Sequence, residues 1–225
     1  MRHAPVRDGL PPRVAARVYD RIGLLQDTQA PIERRAVERL ITVGRLREAH
    51  AVFELGCGTG ALARRLLADV LPEDASYVGG DVSSRMVQLA RRRVAPWPQR
   101  AQVVDLHGTL PLPRPDRSAD RFIAAYVFDL LEPAYTQQVL DDAHRILDEG
   151  GLLCVSSLTW GRSPSSRMVA NAWMAVWRRA PRLVGGCRPI RISDFLNPTK
   201  WQVEENEVIE SWGVPSEILV AAPVP

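Results

Sequence analysis

The stretch that most limits what this chain can become is VFELGCGTGALARRL at 52–66, where an apolar run enters three closely spaced glycines and leaves at once in helical spacing. An apolar run of this length bounded by glycine reads as a buried strand, so the segment is a strand–turn–helix unit. Gly56, Gly58 and Gly60 permit a turn that side chains would block. They also let backbone N–H groups face a ligand beside the helix N-terminus. Read alone, the pattern leaves its ligand open. Gly56-x-Gly58-x-x-Ala61 also satisfies the dinucleotide-binding fingerprint, and a tight turn of purely structural purpose is a third reading.

The same alternation continues along the chain. Helical spacing is expected over 13–23, 31–48, 61–71, 83–95 and 133–148, and strands over 51–55, 76–81, 101–105, 120–128 and 152–158. Gly150–Gly151 is read as the end of the last of those helices. Strands and helices alternating at this length predict an α/β fold, a doubly wound, mostly parallel sheet with helices on both faces. The tail differs. Its two strands, 201–212 and 215–222, are too close for a helical crossover and predict an antiparallel β-hairpin at the sheet edge. The expected organisation is one domain: an N-terminal helical lid (1–48), a cofactor-binding core (49–158), a helical insert on the substrate side (159–199) and the terminal hairpin (200–225). A chain of 225 residues suits one core of that size.

Carboxylates decide between the readings of the glycine turn. Asp81 ends the second strand, where it can accept both hydroxyls of a ribose. Asp105 ends the third, within reach of an adenine amino group. Glu54 stands just before the glycines. Strand carboxyl ends are where such sheets bind ligands. An anionic rim suits a ligand carrying a sulfonium and an ammonium and suits a pyrophosphate badly.

Taken together, ELGCGTG, GGDVSSRMVQLAR, the acid of VVDLHG, DRFIAAYVFDLL and HRILDEGGLLCVSS resemble the class I S-adenosylmethionine-dependent methyltransferases, in particular the small-molecule group typified by the ubiquinone-biosynthesis enzymes (methyltransferase type 11). The resemblance implies a Rossmann-like, seven-stranded sheet whose terminal hairpin supplies the antiparallel seventh strand. It implies S-adenosylmethionine as cofactor, S-adenosylhomocysteine as product, and no metal. It gives Glu54 and the loop Gly56, Cys57, Gly58, Thr59 and Gly60 to the methionine part. Asp81 goes to the ribose, Val82 and Met86 beside the adenine, Asp105 and Leu106 at the adenine edge, and Tyr126 to the floor. Tyr19 matches a tyrosine that closes such sites. Where relatives often carry a histidine after the fourth strand, this chain reads Asp129–Leu130–Leu131.

The sulfonium makes the methyl group electrophilic, so the enzyme's main contribution is positioning. A base is needed only when the acceptor must lose a proton, and Asp129, His107 and Tyr19 are the candidates. Asp129 could equally cap the helix beginning near Pro133, and His107 could be a solvated loop residue. Substrate contacts are expected from the 159–199 insert, with Trp160 and Arg188 as candidates. From Gly150 to Ser193 the chain has no acid, while Arg162, Arg167, Arg178, Arg179, Arg182, Arg188 and Arg191 are all basic. Such a segment could meet an anionic lipid surface or an amphiphilic substrate. Alternatively Val169, Trp173, Val176 and Ala180 pack on the sheet with the arginines in water.

Composition narrows the partners. A net charge of +3 without a patch of interleaved basic and aromatic residues beside the expected site speaks against nucleic acid. A small-molecule acceptor is expected, with peripheral membrane contact an option and the oligomeric state open. No apolar run approaches a membrane span and the first twenty residues lack the apolar core of a secretory signal. Three cysteines without metal spacing fit a reducing compartment, so the cytoplasm is expected. The Tyr-x-x-x-Lys pair of short-chain dehydrogenases is ruled out, because Tyr19, Tyr77, Tyr126 and Tyr135 are followed four residues later by Gly23, Asp81, Leu130 and Val139.

Overall fold

A computed structural model describes Gly9 and residues 30–224. The expected helix over 13–23 and Tyr19 lie outside the described residues. Seven strands, β1 (Ala51–Leu55), β2 (Ser76–Asp81), β3 (Ala101–Asp105), β4 (Ala119–Ala125), β5 (Leu147–Leu158), β6 (Trp201–Ser211) and β7 (Val214–Pro223), form one sheet in the order β3-β2-β1-β4-β5-β7-β6. β1 to β5 run parallel to one another, and β7 lies antiparallel between β5 and β6. The doubly wound sheet with its terminal hairpin is as the alternation predicted. Among the described residues no helix is long and apolar enough to cross a membrane.

Among the described residues five α-helices flank the sheet: α1 (Ala30–Val43), α2 (Ala61–Arg65, continuing as a π-turn over Leu66–Val70), α3 (Ser84–Val94), α4 (Pro133–Ile146) and α5 (Pro164–Arg179). One core cluster joins α1, α2 and α3 to one face of the sheet, with Leu40, Leu66, Tyr77 and Ile123 fully buried. A second lies under α4 on the other face, around Phe53, Phe122, Leu140 and Leu153. Adjacent strand residues point to opposite faces. Val52 therefore joins the first cluster and Phe53 the second.

Three boundaries differ from the sequence pattern. The expected 31–48 helix stops at Val43, because Arg45 takes a left-handed conformation (φ 51°) before a short 3-10 turn at Leu46–Glu48. The fourth strand ends at Ala125 rather than 128, since Tyr126 also has a positive φ, 54°. Gly150–Gly151 do not close α4. The helix gives way at Leu147 directly to β5, and the glycines lie within that strand beside the register shift between Ala119 and Arg121 of β4.

In the insert, the buried face of α5 is carried by Ser166, Ala170 and Trp177, while Val176 is exposed. The indole N–H groups explain the offset. Trp173 donates to the carbonyl of Cys187 and Trp177 to that of Gly186, both at 2.9 Å. The helix is thus turned to hold the 185–188 turn and not to lay one apolar stripe on the sheet.

Candidate active site

Strand order reverses between β1 and β4, and at such a switch point the loops leave in opposite directions and open a crevice at the strand carboxyl ends. A hollow of about 690 Å3, counting its open mouth, lies there, lined by Gly56, Gly58, Asp81, Val82, Leu106 and Tyr126 and walled beyond them by Leu112, Leu130, Leu131 and Tyr135. Six of the residues singled out in the sequence are thereby brought together. Leu112, Leu130, Leu131 and Tyr135 were missed, because an apolar wall contributed by loops carries no motif.

The glycine turn is shaped by its neighbours. A Cβ on Gly56 would lie 2.5 Å from Cγ2 of Val127, and one on Gly60 would lie 2.8 Å from Cα of Ala90; both have positive φ, 67° and 79°. Only glycine meets both demands. The turn is tied to β2 by Gly56 N–H and Cys57 N–H, which donate to the Gly80 carbonyl at 2.7 and 3.1 Å. Thr59 Oγ1 accepts from Arg93 on α3 at 2.6 Å.

Asp81 is the central carboxylate. One oxygen accepts from Gly58 N–H at 2.9 Å and the other from Ser83 N–H at 2.8 Å. Burial pushes its carboxyl up to about 6, against the lowering effect of those N–H groups. Each carboxylate oxygen has a second lone pair, so a carboxylate fixed in this way can still accept two further donors.

The other two acids stand differently. Glu54 is buried beneath the hollow and does not line it. Its carboxylate accepts from Tyr77 Oη at 2.6 Å, and burial raises it to about 7. Asp105 accepts from Ser84 Oγ at 2.8 Å and from His107 N–H at 3.0 Å, and it too is outside the lining. His107 has a positive φ of 49° and an exposed ring whose Nδ1 lies 3.0 Å from Asp105 Oδ1. It is not part of the hollow's lining. Met86 is fully buried in the first turn of α3 and is not part of the lining.

On the β4 side, Tyr126 Oη and Ser216 Oγ are 2.7 Å apart, joining the floor to the hairpin. Asp129 does not cap α4, whose N-cap is Glu132 without a side-chain bond. It is fully buried. Its Oδ2 accepts from Leu158 N–H at 3.3 Å, and Oδ1 has no partner among the described residues. Burial raises it to about 7, with the Leu158 N–H and the Arg188 charge opposing. Glu33 on α1 is raised to about 7 as well, by burial and then by repulsion from Asp129. Ser216, Tyr77 and Glu33 act only through the fold, and nothing in their local sequence marks them.

Arg188 and Trp160 are outside this hollow. Arg188 is buried, donates to the carbonyls of Asp129 (3.4 Å) and Leu131 (3.0 Å), and lies 5.9 Å over the Trp177 ring. It fastens the loop after β4. Gly9 is buried against the backbone of Leu131 and Glu132 on the same loop.

Residues 52–151 match the family model for a methyltransferase domain. The chain is 36% identical over 149 residues to the demethylmenaquinone methyltransferase of Tropheryma whipplei (strain Twist), covering 65% of this chain and 57% of that one. It is 31% identical over 109 residues to a tRNA N(3)-methylcytidine methyltransferase of Drosophila melanogaster, covering 47% and 34%. The chain thus spans from a third to just over half the length of these curated relatives. Among solved structures, the cyclase SpnF superposes with a TM-score of 0.70 at 16% identity, over 97% of this chain and 99% of that one. Residues 52–151 thus carry the match to a methyltransferase domain, and the described residues share their fold with SpnF.

Proposed function

We propose that the chain transfers a methyl group from S-adenosylmethionine to a small-molecule acceptor at the hollow between the glycine turn and the loop after β4. The observation that carries this reading is Asp81, a carboxylate fixed by two backbone N–H groups in the wall of that hollow. The residues present fit an adenosyl group: a carboxylate for the ribose hydroxyls, Val82 and Leu106 as apolar surfaces for a flat ring, and glycines that leave room for a methionine chain. When bound, S-adenosylmethionine supplies a methyl group already made electrophilic by its sulfonium.

The protein's own part is to bind, orient and exclude water. Asp81 accepts the ribose hydroxyls, and Ser83 and Gly58 hold its oxygens in place. Tyr126, anchored by Ser216, forms the floor toward which an acceptor approaches. Leu112, Leu130 and Leu131 make that approach apolar. Asp129, fully buried on the loop after β4, carries an Oδ1 with no partner among the described residues. With its carboxyl raised to about 7, it can take a proton from an acceptor hydroxyl near neutral pH. Glu54 acts through Tyr77 beneath the turn, as a positioning residue. His107 and Tyr19 stay as secondary candidates for the base.

The small-molecule acceptor is favoured by the apolar wall and by the demethylmenaquinone methyltransferase relative. A second reading, methylation of tRNA, has the Drosophila relative in its favour. Incubating the protein with labelled cofactor and separate pools of quinols, phenols, fatty acids and tRNA distinguishes them. Label in a small organic acceptor supports the first reading, and label only in tRNA replaces it with the second. Cofactor binding with no transfer to any pool would instead favour a role as a cofactor-binding scaffold.

A further inference from the structure

A second hollow, of about 530 Å3 including its open mouth, lies on the hairpin side of the molecule and shares no residue with the first. Trp160, Arg162, Arg191, Ser193, Asn206 and Glu217 line it. We propose that this hollow binds an oxyanion, the phosphate or carboxylate group of a small molecule, between the guanidinium groups of Arg162 and Arg191.

The charge balance in the hollow favours a ligand of this kind. Both arginines are exposed, and neither guanidinium has an acidic partner among the described residues. Glu217 is the one acid in the lining. Its buried carboxylate is committed to the wall, where Oε2 accepts from Ile192 N–H at 2.8 Å and Oε1 from Ser193 N–H at 3.4 Å. The next acid, Glu210, is equally committed. It accepts from the N–H groups of Arg162 and Ser163 and from the hydroxyls of Ser163 and Ser166. Those donors hold its carboxyl down at about 2. Two like charges facing one hollow repel, and a planar or tetrahedral oxyanion between two forked guanidiniums turns that repulsion into charge-assisted hydrogen bonds. The Ser193 hydroxyl and the Asn206 amide add neutral polar groups, and the Trp160 indole adds an aromatic wall for whatever carries the anion.

Strand geometry separates this hollow from the methyl-transfer site. Ser216 reaches Tyr126 on one face of β7, and Glu217, the next residue, points to the other face. The acid-free arginine run of the sequence thereby has a local purpose at two of its members. Arg167, Arg178 and Arg179 stay exposed along α5, outside the hollow.

The test is calorimetric titration of the full chain, saturated with S-adenosylhomocysteine, with phenyl phosphate and separately with benzoate. One saturable site is expected for at least one probe. The double variant Arg162→Ala/Arg191→Ala should weaken it at least tenfold, as expected for loss of charge-assisted hydrogen bonds. The control double variant Arg167→Ala/Arg178→Ala removes the same charge from α5 and should leave the affinity unchanged. Preference for phenyl phosphate would identify a phosphate ester as the ligand class, and preference for benzoate a carboxylate. No saturable binding of either probe at millimolar concentration, or equal weakening by both double variants, would overturn the proposal. Repeating the titration without S-adenosylhomocysteine separates its failure from that of the methyl-transfer reading, since the two hollows are independent.

Discussion

The two halves of the crevice are built by different means. On the β1–β2–β3 side, the ties run through backbone N–H groups: those of Gly58 and Ser83 hold Asp81, and those of Gly56 and Cys57 fasten the turn to the end of β2. On the β4–β5–β7 side, partners come from far apart. Tyr126 meets Ser216, Asp129 meets Leu158, and Arg188 reaches back to Asp129 and Leu131. A wall made of backbone turns has little freedom to change its ligand. One made of long-range side-chain contacts can be rebuilt without disturbing the other, which is how one cofactor can serve many acceptors on a common fold.

Glycines on the two sides offer the sharpest way to break this comparison. Gly60 and Gly185 have similar φ, 79° and 64°, but a Cβ on Gly60 would meet Ala90 Cα at 2.8 Å whereas one on Gly185 meets nothing within 4 Å. Gly60→Ala should therefore cost about 3 kcal/mol, combining backbone strain with overpacking against a helix backbone. Gly185→Ala should cost only about 1 kcal/mol, from the strain alone. Urea denaturation of both variants measures the gap, and equal losses would mean that the turn at 56–60 is not tightly built.

Arg188→Ala comes next in size. It removes donors from two backbone carbonyls, and the expected loss of stability is about 2 kcal/mol, the usual consequence of unpairing buried polar groups. Cofactor affinity should stay within about twofold of the wild type by the near-additivity of separate sites, while KM for an acceptor rises. A fall in cofactor affinity as large as the change in KM would show the halves to be coupled. Asp81→Ala should do the reverse. Loss of hydrogen bonds to a charged acceptor weakens cofactor binding by about 10- to 100-fold, measured by calorimetry, with acceptor KM at saturating cofactor little changed.

This division also explains what could be read from the sequence. The glycine turn, Asp81, Val82 and Leu106 were legible because strand–turn–helix geometry ties local pattern to position. So was the sheet, whose alternation and terminal hairpin are periodic signals. Glu54 is expected at the ligand, and its carboxylate also accepts from Tyr77, a partner on the neighbouring strand set by the register between β1 and β2. Asp129 left a choice between helix cap and base, and only the approach of Leu158 from β5 shows that its carboxylate turns inward. Arg188 and Trp160 were grouped as substrate contacts because they share one arginine-rich insert. The chain path separates them, one as a fastening of the loop after β4 and the other as the wall of a second hollow. Apolar spacing places Trp173 on a packing face but does not show that the N–H groups of Trp173 and Trp177 bond the 185–188 turn.

The smallest and most discriminating effect is in pH. Asp81 is raised to about 6 and Asp129 to about 7, burial being the first cause of both. Each is proposed to work as a carboxylate, so each function is lost as pH falls through that value. Cofactor affinity should be flat above about 7 and drop about tenfold per unit well below 6, as expected for one proton competing with binding. Turnover of a hydroxyl acceptor at saturating cofactor should begin to fall about one unit higher, near 7, and Asp129→Asn should abolish that limb while leaving the affinity profile unchanged. The stability contribution has the opposite sign. Both acids hold their proton more tightly folded than unfolded, so the stability they contribute is complete below about 4 and is lost as pH rises through about 6 and 7. Binding and turnover should therefore improve over the interval in which these two groups make the fold less stable. A single shared midpoint for affinity and turnover, unmoved by Asp129→Asn, would assign both limbs to Asp81 and leave the acceptor half without a titrating base.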